Sequence, residues 1–284
     1  MRWSERQRLM LREMGIRLWS ADAAASAAQA APAPAARIAP TAGVASTAAA
    51  PAAPPRAAPT RPPSPAAPGA VAPPIPPAAA DVAGDARRSA IAAADWPALR
   101  EMVAACEACS LCQTRRQAVF GVGHPQAHWM IVGEAPGEQE DQQGEPFVGP
   151  AGQLLDNMLH ALRLTRAPSA PAQQVYIANA LKCRPPRNRN PEADELARCE
   201  PFLLRQIELI RPRLILAMGR FAVQSLLRSS EPIGKLRGRV HRFHDVPLVV
   251  TYHPAYLLRN PADKARAWDD LCLAAQVAEA AGAA

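Results

Sequence analysis

The sequence has few aromatic residues, and one long segment has none. Its 284 residues include five Trp, three Tyr and five Phe. Residues 21–80 contain no Phe, Trp, Tyr, Leu or Met, and 28 Ala with 15 Pro occupy 43 of these 60 positions. Such a segment cannot bury enough apolar surface to offset the entropy of ordering it. We therefore predict a disordered Ala/Pro-rich linker over 21–80. The folded domain is expected over 81–284, which is long enough for one substantial core.

Long apolar runs are also missing. No segment comes near the roughly 18 consecutive apolar residues that a membrane helix needs. The alanines after residue 20 are interrupted by Asp22, Ser26 and Gln29 and lack the Leu- or Val-rich centre of a secretory signal. We therefore expect a cytoplasmic protein with no membrane association. Six Cys in such a protein indicate metal or redox chemistry before structural disulfides.

A strong excess of one charge is missing from the predicted domain. The chain carries 32 Lys+Arg against 25 Asp+Glu, a net charge of +7, to which residues 1–20 contribute +3 and residues 21–80 contribute +2. Only +2 remains for 81–284, so net charge is weak evidence for nucleic-acid binding.

Residues 1–20 have the pattern of a short amphipathic helix, with leucines among arginines and glutamates. A helix that packs against the domain is one interpretation. The other is a docking peptide on a long tether, for a replication or repair protein. Residues 7–11 (QRLML) resemble the short peptide that bacterial replication proteins use to reach the sliding clamp, but a five-residue match arises easily by chance.

Short apolar runs of β-strand character alternate with helical patterns after residue 81. The runs are 128–132, 175–180, 213–218 and 247–252, and the predicted helices are 152–164, 191–210, 220–228 and 261–281. This alternation predicts an α/β fold with a parallel sheet covered by helices on both faces. Ligands of such sheets bind beyond the carboxyl ends of the strands. Polar groups follow three of the four runs, at 133–137, 181–183 and 253–254, which predicts a site at that edge.

Four cysteines have a spacing typical of a metal centre. A C-x2-C pair is followed by two further cysteines with fifteen residues between them; the four are Cys106, Cys109, Cys183 and Cys199. A zinc ribbon would close with a second C-x2-C, which is missing, so a [4Fe–4S] cluster suits these thiolates at least as well as zinc does. Cys112 extends the first pair without completing a ferredoxin motif, and we interpret it as a spare thiol. Cys272 is predicted to be a packed core thiol.

A glycine-bracketed turn follows the first apolar run. The segment Gly133-Glu-Ala-Pro-Gly137 does not match a dinucleotide-binding loop, and Gly234-Lys235 lacks the Ser or Thr of a P-loop. The turn would let backbone amides approach a ligand and would present Glu134, with the flat ring of Phe147 nearby. An ordinary acidic loop is the alternative interpretation.

Two other segments carry groups suited to a nucleobase and to DNA. His253 can donate a hydrogen bond to a developing anion, although an isolated His is more often structural. Leu257, Leu258 and Arg259 form an apolar wedge with a phosphate partner, the combination that opens a DNA stack. Asn179, on the strand that leads to the third cysteine, can pair with an amide-like base edge such as that of uracil.

Taken in order, these motifs resemble those of the iron–sulfur, family-four uracil-DNA glycosylases. The resemblance runs from about Cys106 to Trp268. It rests on the four cysteines, Val119-Phe-Gly-x-Gly123, Gly133-Glu-Ala-Pro-Gly137, Pro146-Phe-Val-Gly149, Asn179-x3-Cys183-Arg-Pro-Pro186 and His253-Pro-Ala-Tyr-Leu-Leu-Arg259. It implies a three-layer α/β/α fold with a four-stranded parallel sheet, a structural [4Fe–4S] cluster on the four cysteines, and hydrolysis of the N-glycosidic bond of uracil in DNA.

The resemblance also implies roles for individual residues. Uracil flipped from DNA would stack on Phe147 and be read by Asn179, while His253 would stabilise charge on the departing base. Glu134 and the backbone at Ala135 would line the sugar side. Further expected contacts to substrate or DNA come from Glu140, Arg184, Leu257, Leu258 and Arg259. Either Glu140 or Asp141 would guide the attacking water or exclude thymine from the pocket.

Two departures from the family-one enzymes leave the general base open. Those enzymes carry a water-activating Asp and a thymine-excluding Tyr where this chain has Ala135 and Gly137, departures that family-four members share. Glu134 is our first candidate for the base. A related subgroup binds uracil-DNA covalently through a His that would lie between the third and fourth cysteines, but residues 184–198 contain no His, and we reject that mechanism.

We therefore expect a monomer that removes uracil from DNA in base-excision repair. The alternative function is a metal-stabilised DNA-binding protein without catalysis. The alternative metal is zinc.

Overall fold

The computed structural model describes residues 79–283. The predictions for residues 1–20 and for all but the end of 21–80 lie outside the described residues. The helices are α1 (Ala79–Ala93), α2 (Trp96–Ala104), α3 (Glu138–Gln143), α4 (Pro150–Ala161), α5 (Ala193–Ile210), α6 (Arg220–Leu227), α7 (Ile233–Leu236), α8 (Pro254–Arg259) and α9 (Lys264–Ala283). The strands are β1 (Val122–Gly123), β2 (Trp129–Gly133), β3 (Tyr176–Asn179), β4 (Leu214–Met218), β5 (Val240–Phe243) and β6 (Val246–Thr251).

The sheet has six strands in the order β1-β3-β2-β4-β6-β5. The four central strands are mutually parallel and correspond to the four apolar runs in the sequence. The expected four-stranded sheet is therefore present, but β1 and β5 extend it as antiparallel edge strands. These two strands were not predicted from the sequence. β1 has only two residues, one of them a glycine, and β5 is polar and alternates between exposed and half-buried positions.

Alternate side chains of the central strands enter two separate cores, one on each face of the sheet. Met130, Val132 and Ala217 pack against α5 and α6 on one face. Ile131 and Leu216 pack against α4, α8 and α9 on the other. The three-layer α/β/α architecture is thereby confirmed. Because the central strands are buried on both faces, their sequences are continuous apolar runs.

The carboxyl ends of the four parallel strands meet at one edge of the sheet. They lead into the glycine turn after β2, the cysteine segment after β3, Gly219 after β4 and His253 after β6. Parallel pairing requires this convergence, since every central strand runs in the same direction. Among residues 79–283, no helix is both long enough and apolar enough to cross a bilayer.

Candidate active site

A cavity of about 1060 Å³ lies at the carboxyl edge of the sheet. Its walls include the glycine turn, the start of α6, the loop after the third cysteine, and the segment from Tyr252 to Arg259. Of the residues predicted from sequence to handle substrate, the cavity brings together Glu134, Ala135, Glu140, Phe147, Asn179 and His253. A cavity of this size accommodates a nucleotide-sized ligand.

His253 lies against the ring of Phe147. The two ring centroids are 5.3 Å apart and the ring planes are inclined by 26°. Nδ1 of His253 accepts a hydrogen bond from the backbone amide of Ala255, 3.2 Å away. Burial, helped by the positive charge of Arg259, lowers the pKa of His253 to about 4. The imidazole is therefore neutral at physiological pH, and because Nδ1 is an acceptor its proton is on Nε2.

Phe147 and Asn179 are held close to the backbone of Gly133. Asn179 is 2% exposed, and its Oδ1 has no hydrogen-bond partner within the described part of the chain. A Cβ on Gly133 would overlap this oxygen and would lie 2.5 Å from Cζ of Phe147. Phe147 itself has a φ of +56°, an uncommon backbone conformation for an aromatic residue. An unsatisfied buried acceptor and backbone strain both mark this corner as built for a ligand.

Glu134 is anchored by the start of α6. Its Oε1 accepts a hydrogen bond from the amide of Phe221 at 3.3 Å, and the amide of Arg220 also contributes. Burial raises the pKa of Glu134, although these amides and the charges of Arg220 and Arg259 oppose the rise. A carboxylate at a helix N-terminus is favourably placed.

This anchor was not predicted from the sequence. Gly219 follows the one apolar run, 213–218, whose exit carries no polar side chain. The structure gives it a φ of +92° and brings it so close to Glu134 that a side chain there would overlap the carboxylate. A glycine directly between a strand and a helix was the available signal.

Glu140 ties two parts of the cavity wall together. Its Oε2 accepts from the amide of Gly137 at 3.0 Å, and its Oε1 accepts from the amides of Val148 and Gly149 at 3.0 and 3.4 Å. These bonds join the glycine turn to the segment that carries Phe147. Asp141 lies outside the cavity lining and accepts two bonds from the amide of Arg116.

Two arginines present positive charge to the cavity without a carboxylate partner. Arg220 and Arg259 are exposed and line it, and neither forms an ion pair within the described residues. Arg189 is instead paired with Glu195 and Glu192. Arg184 bonds Asn188 at 2.8 Å and lies 3.6 Å from Glu138.

The predicted wedge requires a correction. Leu257 is fully buried, at 0% exposure, because it faces the core between the sheet and α4, α8 and α9. It therefore has no surface to present to DNA. Leu258, the next residue of α8, is 44% exposed and remains available.

The four predicted cluster cysteines lie in one region beside the cavity. Burial raises the pKa of the thiols of Cys183 and Cys199, and each is raised further by neighbouring thiols. Cys109 and Cys106 act on Cys183, while Cys183 and Cys106 act on Cys199. Influences of this kind require short separations. Cys112 acts on Cys109 and so lies nearby as well.

Donors surround these sulfurs as they would surround an anionic cluster. Arg115 donates to Sγ of Cys183 at 3.0 Å, and the amide of Lys182 donates to Sγ of Cys199 at 3.2 Å. Arg87 approaches Sγ of Cys106 at 3.6 Å. Within residues 79–283, no three His, Cys, Asp or Glu side chains are close enough to hold a single metal ion. In a [4Fe–4S] cluster each thiolate binds a different iron, so the thiolates surround the cluster without converging on one ion. The donor set therefore fits such a cluster.

Cys272 packs against the core formed by α9 and the sheet, as predicted.

Comparison with known proteins shows which family the chain resembles. The sequence profile described as the Uracil DNA glycosylase superfamily matches residues 120–272. The chain is 44% identical over 172 residues to the type-4 uracil-DNA glycosylase of Sulfurisphaera tokodaii, covering 57% of this chain and 76% of the relative. It is 40% identical over 187 residues to that of Pyrobaculum aerophilum, covering 63% and 92%. A type-5 uracil-DNA glycosylase of Pyrobaculum aerophilum is 32% identical over 149 residues, covering 49% and 66%.

The profile covers more than half of the chain and includes the strand exits that form the cavity. The matches to type-4 proteins are longer and of higher identity than the match to the type-5 protein. The resemblance inferred from the motifs is thus confirmed: the chain belongs to the uracil DNA glycosylase superfamily and, within it, to the type-4 uracil-DNA glycosylases.

Proposed function

We propose that this protein is a DNA-repair enzyme that flips uracil out of DNA and hydrolyses its N-glycosidic bond, leaving an abasic site. The observation that carries the proposal is the cavity corner where the unpaired Oδ1 of Asn179, the ring of Phe147 and the neutral imidazole of His253 meet. Asn179 can form hydrogen bonds with the edge of a base, Phe147 provides a flat apolar surface, and His253 provides a hydrogen-bond donor. The named relatives act on uracil in DNA, which agrees with this assignment.

Asn179 and Phe147 recognise the base. The free Oδ1 accepts from N3–H of uracil while the side-chain amide donates to O4, a pairing that cytosine would not satisfy because its edge is reversed. Phe147 provides the apolar surface on which the flipped base stacks. Gly133 permits this arrangement, because any side chain there would occupy the space of both groups.

His253 stabilises the leaving group. As the glycosidic bond breaks, negative charge develops on the uracil oxygens, and Nε2–H of a neutral imidazole donates to one of them. A donor that is already oriented by the Ala255 amide needs no rearrangement during the reaction, which makes its contribution large.

Glu134 acts on the sugar side as the general base or as the carboxylate that stabilises the oxocarbenium-like sugar. The amides at the start of α6 fix its position and keep it away from bulk water. Glu140, with both oxygens bonded to backbone amides, holds the glycine turn against the Phe147 segment and so shapes the pocket that excludes thymine.

Cys106, Cys109, Cys183 and Cys199 would hold a [4Fe–4S] cluster. When bound, the cluster would supply structural cross-linking, since it would join the loop after α2, the end of β3 and α5. Arg115 and the amide of Lys182 stabilise the sulfurs by hydrogen bonding. Iron and acid-labile sulfide near four of each per chain would support this assignment; stoichiometric zinc in a colourless preparation would contradict it. Thiols of this kind persist in the reducing cytoplasm, where we infer that the enzyme acts.

DNA lies against the cavity mouth, where positive side chains contact phosphates. Arg220 and Arg259 are the main candidates, because both line the cavity and neither forms an ion pair within the described part of the chain. Arg184 can contact a phosphate if it gives up its ion pair with Glu138. Leu258 supplies exposed apolar surface for the DNA.

Oligonucleotides test the proposed function directly. The purified chain is incubated with matched strands that contain uracil or thymine at one position, and abasic sites are then cleaved with alkali. We expect cleavage at uracil only. Cleavage no greater than in a control without protein, together with retained DNA binding, would contradict the proposal and favour a DNA-binding protein without catalysis.

A further inference from the structure

Two stacked tyrosines lie in the cavity wall beside His253. Tyr252 directly precedes His253, and Tyr256 is the third residue of α8. Their ring centroids are 5.1 Å apart and their planes are inclined by 20°. Both residues are half-buried and both line the cavity. Recognition of uracil by Asn179, Phe147 and His253 makes no use of this aromatic surface.

The polar groups of this tyrosine pair are already engaged. The hydroxyl of Tyr256 donates to Asp263 at 2.7 Å, and Arg266 forms a hydrogen bond to Tyr252. The guanidinium of Arg237 lies 5.7 Å from the ring centroid of Tyr252. The rings are therefore held in place before any ligand arrives, and what they offer to the cavity is apolar ring surface.

α8 also places a positive charge next to this surface. Arg259 follows Tyr256 by three residues, so the two lie on the same side of the helix, and both line the cavity. Leu257, between them, points into the core. An aromatic ring beside an unpaired guanidinium suits a nucleotide, whose base stacks and whose phosphate is anionic.

We propose that Tyr252 and Tyr256 form a second base-binding subsite, which takes the nucleobase adjacent to the flipped uracil, while Arg259 contacts the phosphate of that nucleotide. The inference rests on the proposed function. Flipping one base leaves its neighbour with an unstacked face, and an aromatic platform beside the pocket replaces the lost stacking. Every base has a π-face, so the subsite tolerates any neighbouring sequence.

A double-mutant cycle between protein and DNA tests the subsite. Duplexes carry a uracil nucleotide whose glycosidic bond is made resistant by a 2′-fluorine, and the base on its 5′ or 3′ side is present or deleted. Affinities for the full chain and for Tyr256→Ala are measured by fluorescence anisotropy. We expect the unmodified protein to lose about tenfold in affinity when one of the two neighbouring bases is deleted. Tyr256→Ala should lose less than about twofold on the same DNA, because its stacking partner is already gone.

Further variants separate stacking from a structural role. Tyr256→Phe keeps the ring and should keep the dependence on the neighbouring base, whereas Tyr256→Leu keeps apolar volume without a π-face and should lose it. Phe243→Ala removes a half-buried ring that does not line the cavity, and should bind like the unmodified protein. Circular dichroism checks that each variant folds; should Tyr256→Ala fail, Tyr256→Leu replaces it in the cycle. The subsite would be overturned if deletion of the neighbouring base, on the 5′ side and on the 3′ side alike, lowered the affinity of Tyr256→Ala as much as it lowers that of the unmodified protein.

Failure of the subsite and failure of the proposed function give different results. A protein that cleaves ordinary uracil-containing DNA but shows no coupling between Tyr256 and a neighbouring base is a glycosylase without this subsite. A protein that cleaves no uracil-containing DNA loses the proposed function, and the subsite with it.

Discussion

Two local features suit His253 to its proposed role as a neutral hydrogen-bond donor. The amide of Ala255 occupies Nδ1, and burial lowers the pKa of the ring to about 4. A charged imidazole would donate more strongly but would be costly to bury beside Arg259. The neutral form avoids that cost and is present throughout the physiological range.

Removal of the side chain of Asn179 or of His253 should abolish most activity without unfolding the protein. We expect His253→Ala and Asn179→Ala each to lower the single-turnover rate about 100-fold or more, since each removes a hydrogen-bonding group proposed to contact the base. His160→Ala, an exposed residue that does not line this cavity, is the control and should retain the full rate. A rate within about twofold of the unmodified protein in either site variant would exclude that residue from the chemistry.

The pH dependence of the reaction rate should reflect the protonation of Glu134. Its pKa is raised above the ordinary value of 4.5, so the fraction of active carboxylate falls as the pH drops through that raised pKa. We expect the single-turnover rate to decline on the acid side and to be flat above it, since His253 titrates lower, near 4. Glu134→Gln should lower the plateau and remove the acid limb. An unchanged limb in this variant would assign it to another group.

At the scale of secondary-structure elements, the segments that follow the parallel strands form the candidate site. The close approach of the backbones of neighbouring strands brings the side chains of this site together. β2 and β3 are hydrogen-bonded in parallel register, with Gly133 opposite Asn179. This register places Asn179, the proposed contact to the base, directly beside the glycine turn. The chain segment with Phe147 then enters the gap that Gly133 leaves open.

Filling that gap should damage binding. Gly133→Ala would force Asn179 and Phe147 apart, and we expect it to raise the Kd for resistant uracil-containing DNA by about tenfold or more. Gly234→Ala is the matched control: Gly234 also lines the cavity, but a Cβ there meets nothing within 4 Å. Equal affinities of the two variants would show that the corner adapts to the added methyl group.

At the scale of the whole molecule, residues 79–283 contain the cavity lining described above, the two cores on the faces of the sheet and the four cysteines proposed to hold the cluster. Deletion of residues 1–78 should therefore leave excision of uracil from oligonucleotides within about twofold of the full chain. Parallel cleavage assays on the two proteins provide the measurement. Loss of activity in a folded truncation would mean that the N-terminal residues contribute to the site.

Charge is distributed unevenly over this molecule, and the distribution matters more than its sum. The folded part is close to neutral, yet Arg220 and Arg259 line the cavity without carboxylate partners in residues 79–283. Phosphate contacts at the cavity mouth therefore do not require a strongly basic protein.

The sequence alone predicts the fold class, which the structure confirms, and it singles out the four cysteines and the residues proposed to recognise the base. Strand runs and helical spacings are local periodicities, and the motifs of the glycine turn, Asn179 and His253 are contiguous segments with fixed spacing. The two edge strands escaped because short polar segments acquire strand geometry only from their partners.

The tertiary structure alone decided which atoms of these residues are free. Packing of α8 buries Leu257 and leaves Leu258 exposed, although the sequence places both leucines equally in the predicted wedge. The anchoring of Glu134 by α6 joins residues more than eighty positions apart. The tautomer of His253, in contrast, follows from a hydrogen bond donated by the backbone amide of Ala255, two residues away. The burial of Leu257 and the anchoring of Glu134 arise from long-range contacts between elements, so no local pattern in the chain records them.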